Sequence, residues 1–282
     1  MIVVTGATGQ LGRFVVEGLL AEVPASEVAV AVRSAEKAAA WAAQGVDVRV
    51  VDYNRPETLE GVFAAGDRVL LISGNEMGSR VTQHRAVIDA AKAAGVALLG
   101  YTGVLGGDEA SFRLADEHKA TEAAIRESGL PFVFLRNGWY TENYTADAAG
   151  TVERGVVLGS SGDGRVATAT RRDYAAAAVA VLTGEGHENR AYELSGDVAW
   201  SFSEYAAELA AHSGKPVVYR NVSAEEHREV LLGAGLPEVF ADIFVDVDAA
   251  IGRGDLARTT GDLARLIGRP TTPLVETVKA AL

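Results

Sequence analysis

The chain of 282 residues has no cysteine. Disulfide staples, cysteine-ligated zinc and thiol nucleophiles are thereby excluded, and a cytoplasmic setting is the expectation that fits. Positive charge is scarce: 26 Lys and Arg stand against 38 Asp and Glu, a net charge of −12. A nucleic-acid-binding face or an anionic membrane surface would need clustered cations, so neither partner is expected. Long apolar runs are missing too. The stretch 175–182 falls far short of the ~20 residues needed to span a bilayer. The first apolar run starts at Ile2, so no signal peptide is expected. Metal-loop spacing, internal repeats and low-complexity linkers are all absent, and no metal is expected. What the chain does have is an apolar content of 48%, enough for a globular core and incompatible with disorder.

The most informative stretch is the beginning, Met-Ile-Val-Val-Thr-Gly-Ala-Thr-Gly-Gln-Leu-Gly. Ile2, Val3 and Val4 read as a buried strand. Leu11, Val15 and Leu19 follow at helical spacing. Strand, glycine turn and helix form the context a phosphate-binding loop requires. Gly6 allows the tight turn, Gly9 admits a pyrophosphate close to the backbone, and Gly12 lets the helix pack on the strand. The spacing is G-x-x-G-x-x-G, and an ordinary βα turn is the plainer alternative. A second strand over 28–32 ends at Arg33. Versions that bind NAD carry an acid here for the ribose 2′-hydroxyl. A guanidinium instead matches a 2′-phosphate, so NADP(H) is the expected cofactor, against the bland reading of Arg33 as a solvated loop residue.

Further strands are expected at 46–51, 68–73, 96–101 and 131–136. Helices are expected over 35–44, 57–65, 80–94 and 110–128. Six strands alternating with helices predict an α/β, Rossmann-type doubly wound parallel sheet. Asp52 suits either an adenine amine or a turn. The loop from Ser73 to Gly78 lies at a strand's carboxyl end, where ligands sit in open α/β sheets. His84 reads as a surface or packing residue, since no partner stands at metal-ligand spacing. Asp116, Glu117 and the acidic run 242–248 read as solvated faces. After Arg136 the pattern changes. Trp139, Tyr140 and Tyr144 form a polar and aromatic cluster, Asp173 reads as a helix cap, and helices over 203–213, 224–232 and 237–251 suggest a smaller mixed α/β lobe. The expected division is a cofactor domain over 1–136, regaining the chain within 170–198, and a substrate lobe over 137–282.

The ordered motifs Val-Thr-Gly-Ala-Thr-Gly-Gln-Leu-Gly, Arg33, Leu-Ile-Ser73, Gln83-His-Arg, Leu114-Ala-Asp-Glu-His and Leu135-Arg-Asn-Gly-Trp-Tyr resemble the NmrA-like atypical short-chain dehydrogenase/reductases. Within them the chain is most similar to the bacterial type 2 NAD(P)H:quinone oxidoreductases, a group related to triphenylmethane dye reductases. The resemblance runs almost end to end. It implies NADPH-dependent two-electron reduction of a quinone. It also implies a cofactor site made of Gly6, Ala7, Thr8, Gly9, Gln10, Leu11, Gly12, Arg33, Ser73, Gly74, Asn75, Asn137, Gly138, Trp139, Tyr140, Thr141, Glu142 and Arg171.

Ordinary short-chain dehydrogenases use a Tyr-x-x-x-Lys pair to protonate an alkoxide. Leu114 and His118 stand there instead. A quinone tolerates that loss, because its ring delocalises the delivered charge and water can protonate the product. The enzyme is then chiefly a positioning device. Trp139, Tyr140, Tyr144 and His118 are candidates for the acceptor slot, each with core packing or a structural role as the alternative. A dye or other conjugated acceptor, or a non-catalytic NADP(H) sensor of NmrA type, stays open, as does a homodimer.

Overall fold

The computed structural model describes residues 1–282 and divides into two compact units. Unit 1 comprises Met1–Gly107, Glu117–Asn137 and Arg171–Glu193; unit 2 comprises Asp108–Asp116, Gly138–Thr170 and Leu194–Leu282.

Unit 1 is built on β1 (Ile2–Thr5), β2 (Val28–Val32), β3 (Asp47–Val50), β4 (Arg68–Leu71), β5 (Leu98–Val104), β6 (Phe132–Asn137) and β7 (Arg190–Leu194). The sheet order is β7-β6-β5-β4-β1-β2-β3. Strands β1 to β6 pair in parallel throughout. The order reverses beside β1, which is the doubly wound switch point. β1, β2 and β5 are buried along their whole length, as near-continuous Val, Ala and Leu runs require when both sheet faces are covered.

The helices of this unit are α1 (Gln10–Glu22), α2 (Arg80–Ala94), α3 (Ala115–Ser128, whose first two residues fall in unit 2) and α4 (Arg171–Thr183). Val87, Ile88 and Ala91 of α2 and Ile125 of α3 meet Val3, Ala29, Val69, Leu99 and Phe134 in one core cluster. Each such buried branched side chain contributes about 1.5–3 kcal/mol. α1 and α4 pack tightly together: a Cβ on Gly18 would lie 2.8 Å from Val179 Cγ2.

Three local expectations are corrected. Residues 57–65 form only the short 3-10 turn Pro56–Leu59, because Gly61 sits at φ 69° and stops a helix there. α3 starts at Ala115 rather than 110. Asp173 lies inside the first turn of α4, not at its cap.

Unit 2 is a mixed α/β assembly of short strands and helices. Val156–Gly159 pairs in parallel with Val218–Asn221. Trp139–Tyr140 pairs in parallel with Thr168–Ala169, and Trp200–Ser201 runs antiparallel to Arg165–Val166. Its helices include α5 (Phe202–Ser213), α6 (Ala224–Gly233), α7 (Glu238–Arg253) and α8 (Leu274–Ala281). Ser201 starts α5 with a reciprocal capping box to Glu204. No helix of the chain is long and apolar enough to cross a membrane.

Candidate functional site

The carboxyl ends of β4, β1 and β2 lie side by side in the sheet. They deliver three predicted features to one edge of unit 1: the loop after β4, the glycine loop, and Arg33. In the glycine loop, Gly6 adopts φ 60°, and Gly9 donates its N–H to the Gly6 carbonyl at 3.0 Å. A Cβ on Gly12 would stand 2.4 Å from the Gly6 oxygen and 2.7 Å from Ala7, so only glycine lets α1 sit on the turn. Gly9 begins α1 without a side-chain cap, and its first turn holds no acidic residue. The helix thus presents uncapped N–H groups and the positive end of its dipole, which suits an anionic phosphate. Burial raises the phenol pKa of Tyr53 near this loop. Asp52 shapes a turn, its Oδ1 accepting the Asn54 N–H at 3.0 Å.

The loop after β4 is held almost atom by atom. Ser73 N–H donates to Thr102 Oγ1 at 2.9 Å, and Gly74 N–H donates to His84 Nε2 at 3.0 Å. Arg80 Nε donates to the Gly74 carbonyl at 2.7 Å, and Gly78 N–H to Glu117 Oε1 at 2.8 Å. Glu117 also pairs with the buried Arg80 guanidinium at 3.1 Å. Glu76 Oε2 accepts from Gln83 Nε2 at 2.6 Å, and Glu76 Oε1 meets Arg33 Nη1 at 3.1 Å.

His84 is fully buried, so of the two readings, surface or packing, it takes the packing one. Because Nε2 accepts from Gly74, Nδ1 carries the proton and donates to Thr121 Oγ1 at 3.0 Å. Burial, with the nearby Arg80 charge, pushes its pKa down to about 3. Glu117 is likewise part of the loop's support rather than a solvated face. Sequence reasoning missed this set, although one signal was there. Val87, Ile88 and Ala91 mark the buried face of α2, and His84 precedes them at helical spacing on that same face.

His118 lies in the first turn of α3, with Nδ1 2.7 Å from the Tyr101 hydroxyl. Its pKa falls to about 3 through burial, then the charges of Arg80 and His84. Burial raises Tyr101 well above the usual phenol range. Glu122 is committed elsewhere: it grips Arg136 in fork geometry, Nε–Oε1 2.9 Å and Nη2–Oε2 2.7 Å. Arg136 Nη1 also reaches Glu193 at 2.7 Å. Asn137 closes β6, and Arg171 starts α4.

Of the remaining predicted residues, Gly138, Trp139, Tyr140, Thr141, Glu142 and Tyr144 belong to unit 2. Gly138 N–H donates to the Leu194 carbonyl at 2.7 Å, and Thr141 Oγ1 to Thr168 Oγ1 at 2.8 Å. Trp139 is buried, while Tyr140 is half-buried. Tyr144 packs edge-on to Trp200 at 5.3 Å and Phe202 at 5.1 Å. It is a member of unit 2's aromatic core.

The acidic run of α7 also differs from a solvated face. Asp248 is buried and accepts the Ser160 N–H at 2.6 Å. His227 Nδ1 lies 3.0 Å from Ser160 Oγ and 3.2 Å from Asp248 Oδ2. Nucleophilic triads bind serine and aspartate through opposite ring nitrogens. Here both share Nδ1, so the group clasps α6 and α7 to the strand end and cannot relay a proton.

The profile of NAD(P)H-binding proteins matches residues 6–185. The chain belongs to the NAD(P)H-binding family. The NmrA-like resemblance read from the sequence is borne out. Quinone oxidoreductase 2 of Escherichia coli (strain K12) is 48% identical, over 99% of this chain and 97% of that protein. A solved structure of the E. coli NADPH-dependent quinone oxidoreductase with NADPH has a TM-score of 0.97 and covers 99% of both chains. The Citrobacter sp. triphenylmethane reductase structure with NADP(H) has a TM-score of 0.95 at 45% identity, covering 100% of both chains.

Proposed function

We propose that this chain is a NADPH-dependent quinone oxidoreductase that passes two electrons to a quinone by direct hydride transfer. The observation that carries the reading is full-length likeness, at 48% identity, to a quinone oxidoreductase. NADPH supplies the hydride when bound. The chain's own residues hold and orient. The backbone from Gly6 to Gly12 and the start of α1 receive the pyrophosphate. Arg33 takes the 2′-phosphate. Ser73, Gly74 and Asn75 border the cofactor on a loop fixed by His84, Arg80 and Glu117. By resemblance, Asn137, Gly138, Trp139, Tyr140, Thr141, Glu142 and Arg171 complete the cofactor set. Residues 1–136 with 170–198 act as the cofactor domain, and 137–282 mainly as the acceptor lobe.

No tyrosine–lysine pair serves as proton donor. Leu114 precedes α3, and His118 occupies its first turn. At neutral pH a histidine depressed to about 3 is uncharged, so it offers a hydrogen bond rather than a ready proton. The hydride alone takes the quinone to the hydroquinone monoanion, and a single proton from solvent completes the hydroquinone. A triphenylmethane dye is the second acceptor reading, favoured by the Citrobacter likeness.

The test follows NADPH oxidation by absorbance with benzoquinones, naphthoquinones and triphenylmethane dyes. Turnover with quinones is expected. NADPH binding without turnover on any acceptor would replace this reading with that of a non-catalytic sensor.

A further inference from the structure

Arg33 is the expected anchor of the cofactor's 2′-phosphate, yet it already has an anionic partner. Glu76 Oε1 stands 3.1 Å from Arg33 Nη1. This carboxylate is not a loose surface group. Its other oxygen accepts from Gln83 Nε2 at 2.6 Å. Gln83 is itself only 5% exposed, and its amide also reaches Asn54 Oδ1 at 3.1 Å. The loop backbone carrying Glu76 is fixed on both sides, by His84 and Arg80 at Gly74 and by Glu117 at Gly78. A seated carboxylate therefore shares the guanidinium on which a 2′-phosphate must land.

We propose that Glu76 is a specificity-determining residue that sets the NADPH-over-NADH preference downward by competing with the 2′-phosphate for Arg33. This rests on the reading of Arg33 as the phosphate anchor. A ribose 2′-phosphate brings close to two negative charges at neutral pH. To reach Arg33 it must either displace Glu76 from its ion pair or lie next to a fixed like charge. Both cost binding energy, and a 2′-hydroxyl incurs neither. Because Arg33 and Glu76 are both substantially exposed, the repulsion is screened and sensitive to salt.

The experiment titrates NADPH and NADH into the full-length chain by calorimetry, with 2′-AMP as a probe of the phosphate end alone. The proteins are the wild type, Glu76→Gln, Arg33→Gln and the double variant. Glutamine keeps the size of Glu76 and a carbonyl for Gln83. In low salt, Glu76→Gln is expected to tighten NADPH and 2′-AMP by about three- to tenfold, with NADH unchanged. The gain should vanish at high salt and in the Arg33→Gln background. If Glu76→Gln leaves NADPH unchanged or weaker while Arg33→Gln still loses NADPH selectively, the competition is overturned and the Arg33 reading stands. A gain that survives without Arg33 also overturns it. If Arg33→Gln weakens NADPH and NADH alike, the Arg33 reading fails, and the proposal fails with it.

Discussion

Single side chains decide how the cofactor edge works. Arg33→Asp should weaken NADPH far more than NADH, because an acid at this strand end suits a ribose hydroxyl and repels a phosphate. Equal losses in the two Kd values would remove Arg33 from the site. His84 is a positioning residue. His84→Phe would leave the Gly74 N–H and the Thr121 hydroxyl without their buried partner, a cost of about 1–3 kcal/mol. The expected kinetic signature is a raised KM for NADPH with a smaller change in kcat. His84→Gln, which still offers a neutral acceptor, should recover much of that loss. A variant pair with identical KM values would mean that the Gly74 bond does not shape the loop. The place of Arg33 at the sheet's carboxyl edge was legible in the sequence because it follows a recognisable strand at a known distance from the glycine loop. The support from Arg80, Gln83, His84 and Glu117 was not. These residues act through pairings that only the tertiary fold creates, and a lone histidine in a helix has no local signature of that task.

At the scale of elements, the strand–turn–helix at the start is over-determined. Thr5 Oγ1 ties it to the end of β4 by accepting the Ile72 N–H, and the Gly12 approach leaves no space for a methyl group. Gly12→Ala should therefore push α1 away from the turn. The expected outcome is loss of cofactor affinity together with a fall in stability, seen as a lower midpoint in urea. Gly9→Ala is the matched control for stability, since its Cβ would meet only the Gly6 oxygen, at 3.2 Å. It should cost less stability than Gly12→Ala. Equal midpoints for the two variants would contradict the close approach. The same contrast explains which elements could be read in advance. β1, β2 and α2 carry uninterrupted patterns and appear where expected. The helix expected over 57–65 ends after one turn, where Glu60 turns extended and Gly61 takes a positive φ. Asp248 read as solvent-facing because acidic residues crowd α7, yet its partners Ser160 and His227 come from distant segments. Periodicity along one helix carries no information about such partners.

For the whole molecule, the two buried histidines of unit 1 link folding to pH. Both His84 and His118 fall to about 3 in the folded chain, against about 6.5 when unfolded. The folded pKa is the lower one, so the unfolded chain binds more protons between these values. Stability from each histidine is then fully present above about pH 6.5 and is lost progressively as the pH falls toward 3. Each can contribute a slope of up to roughly 1.4 kcal/mol per pH unit within that window. Urea midpoints measured from neutral pH downward should fall steadily below about pH 6.5, before most carboxylates titrate. His84→Gln should flatten that dependence by close to one proton's worth, while lowering stability at neutral pH only modestly. A variant whose midpoint falls as steeply as the wild type's would show that His84 takes up no extra proton on unfolding. The neutral buried imidazole would then not be the state that holds the loop. The pH profile thus tests the neutral state of the buried imidazole independently of catalysis, and it does so without any cofactor bound.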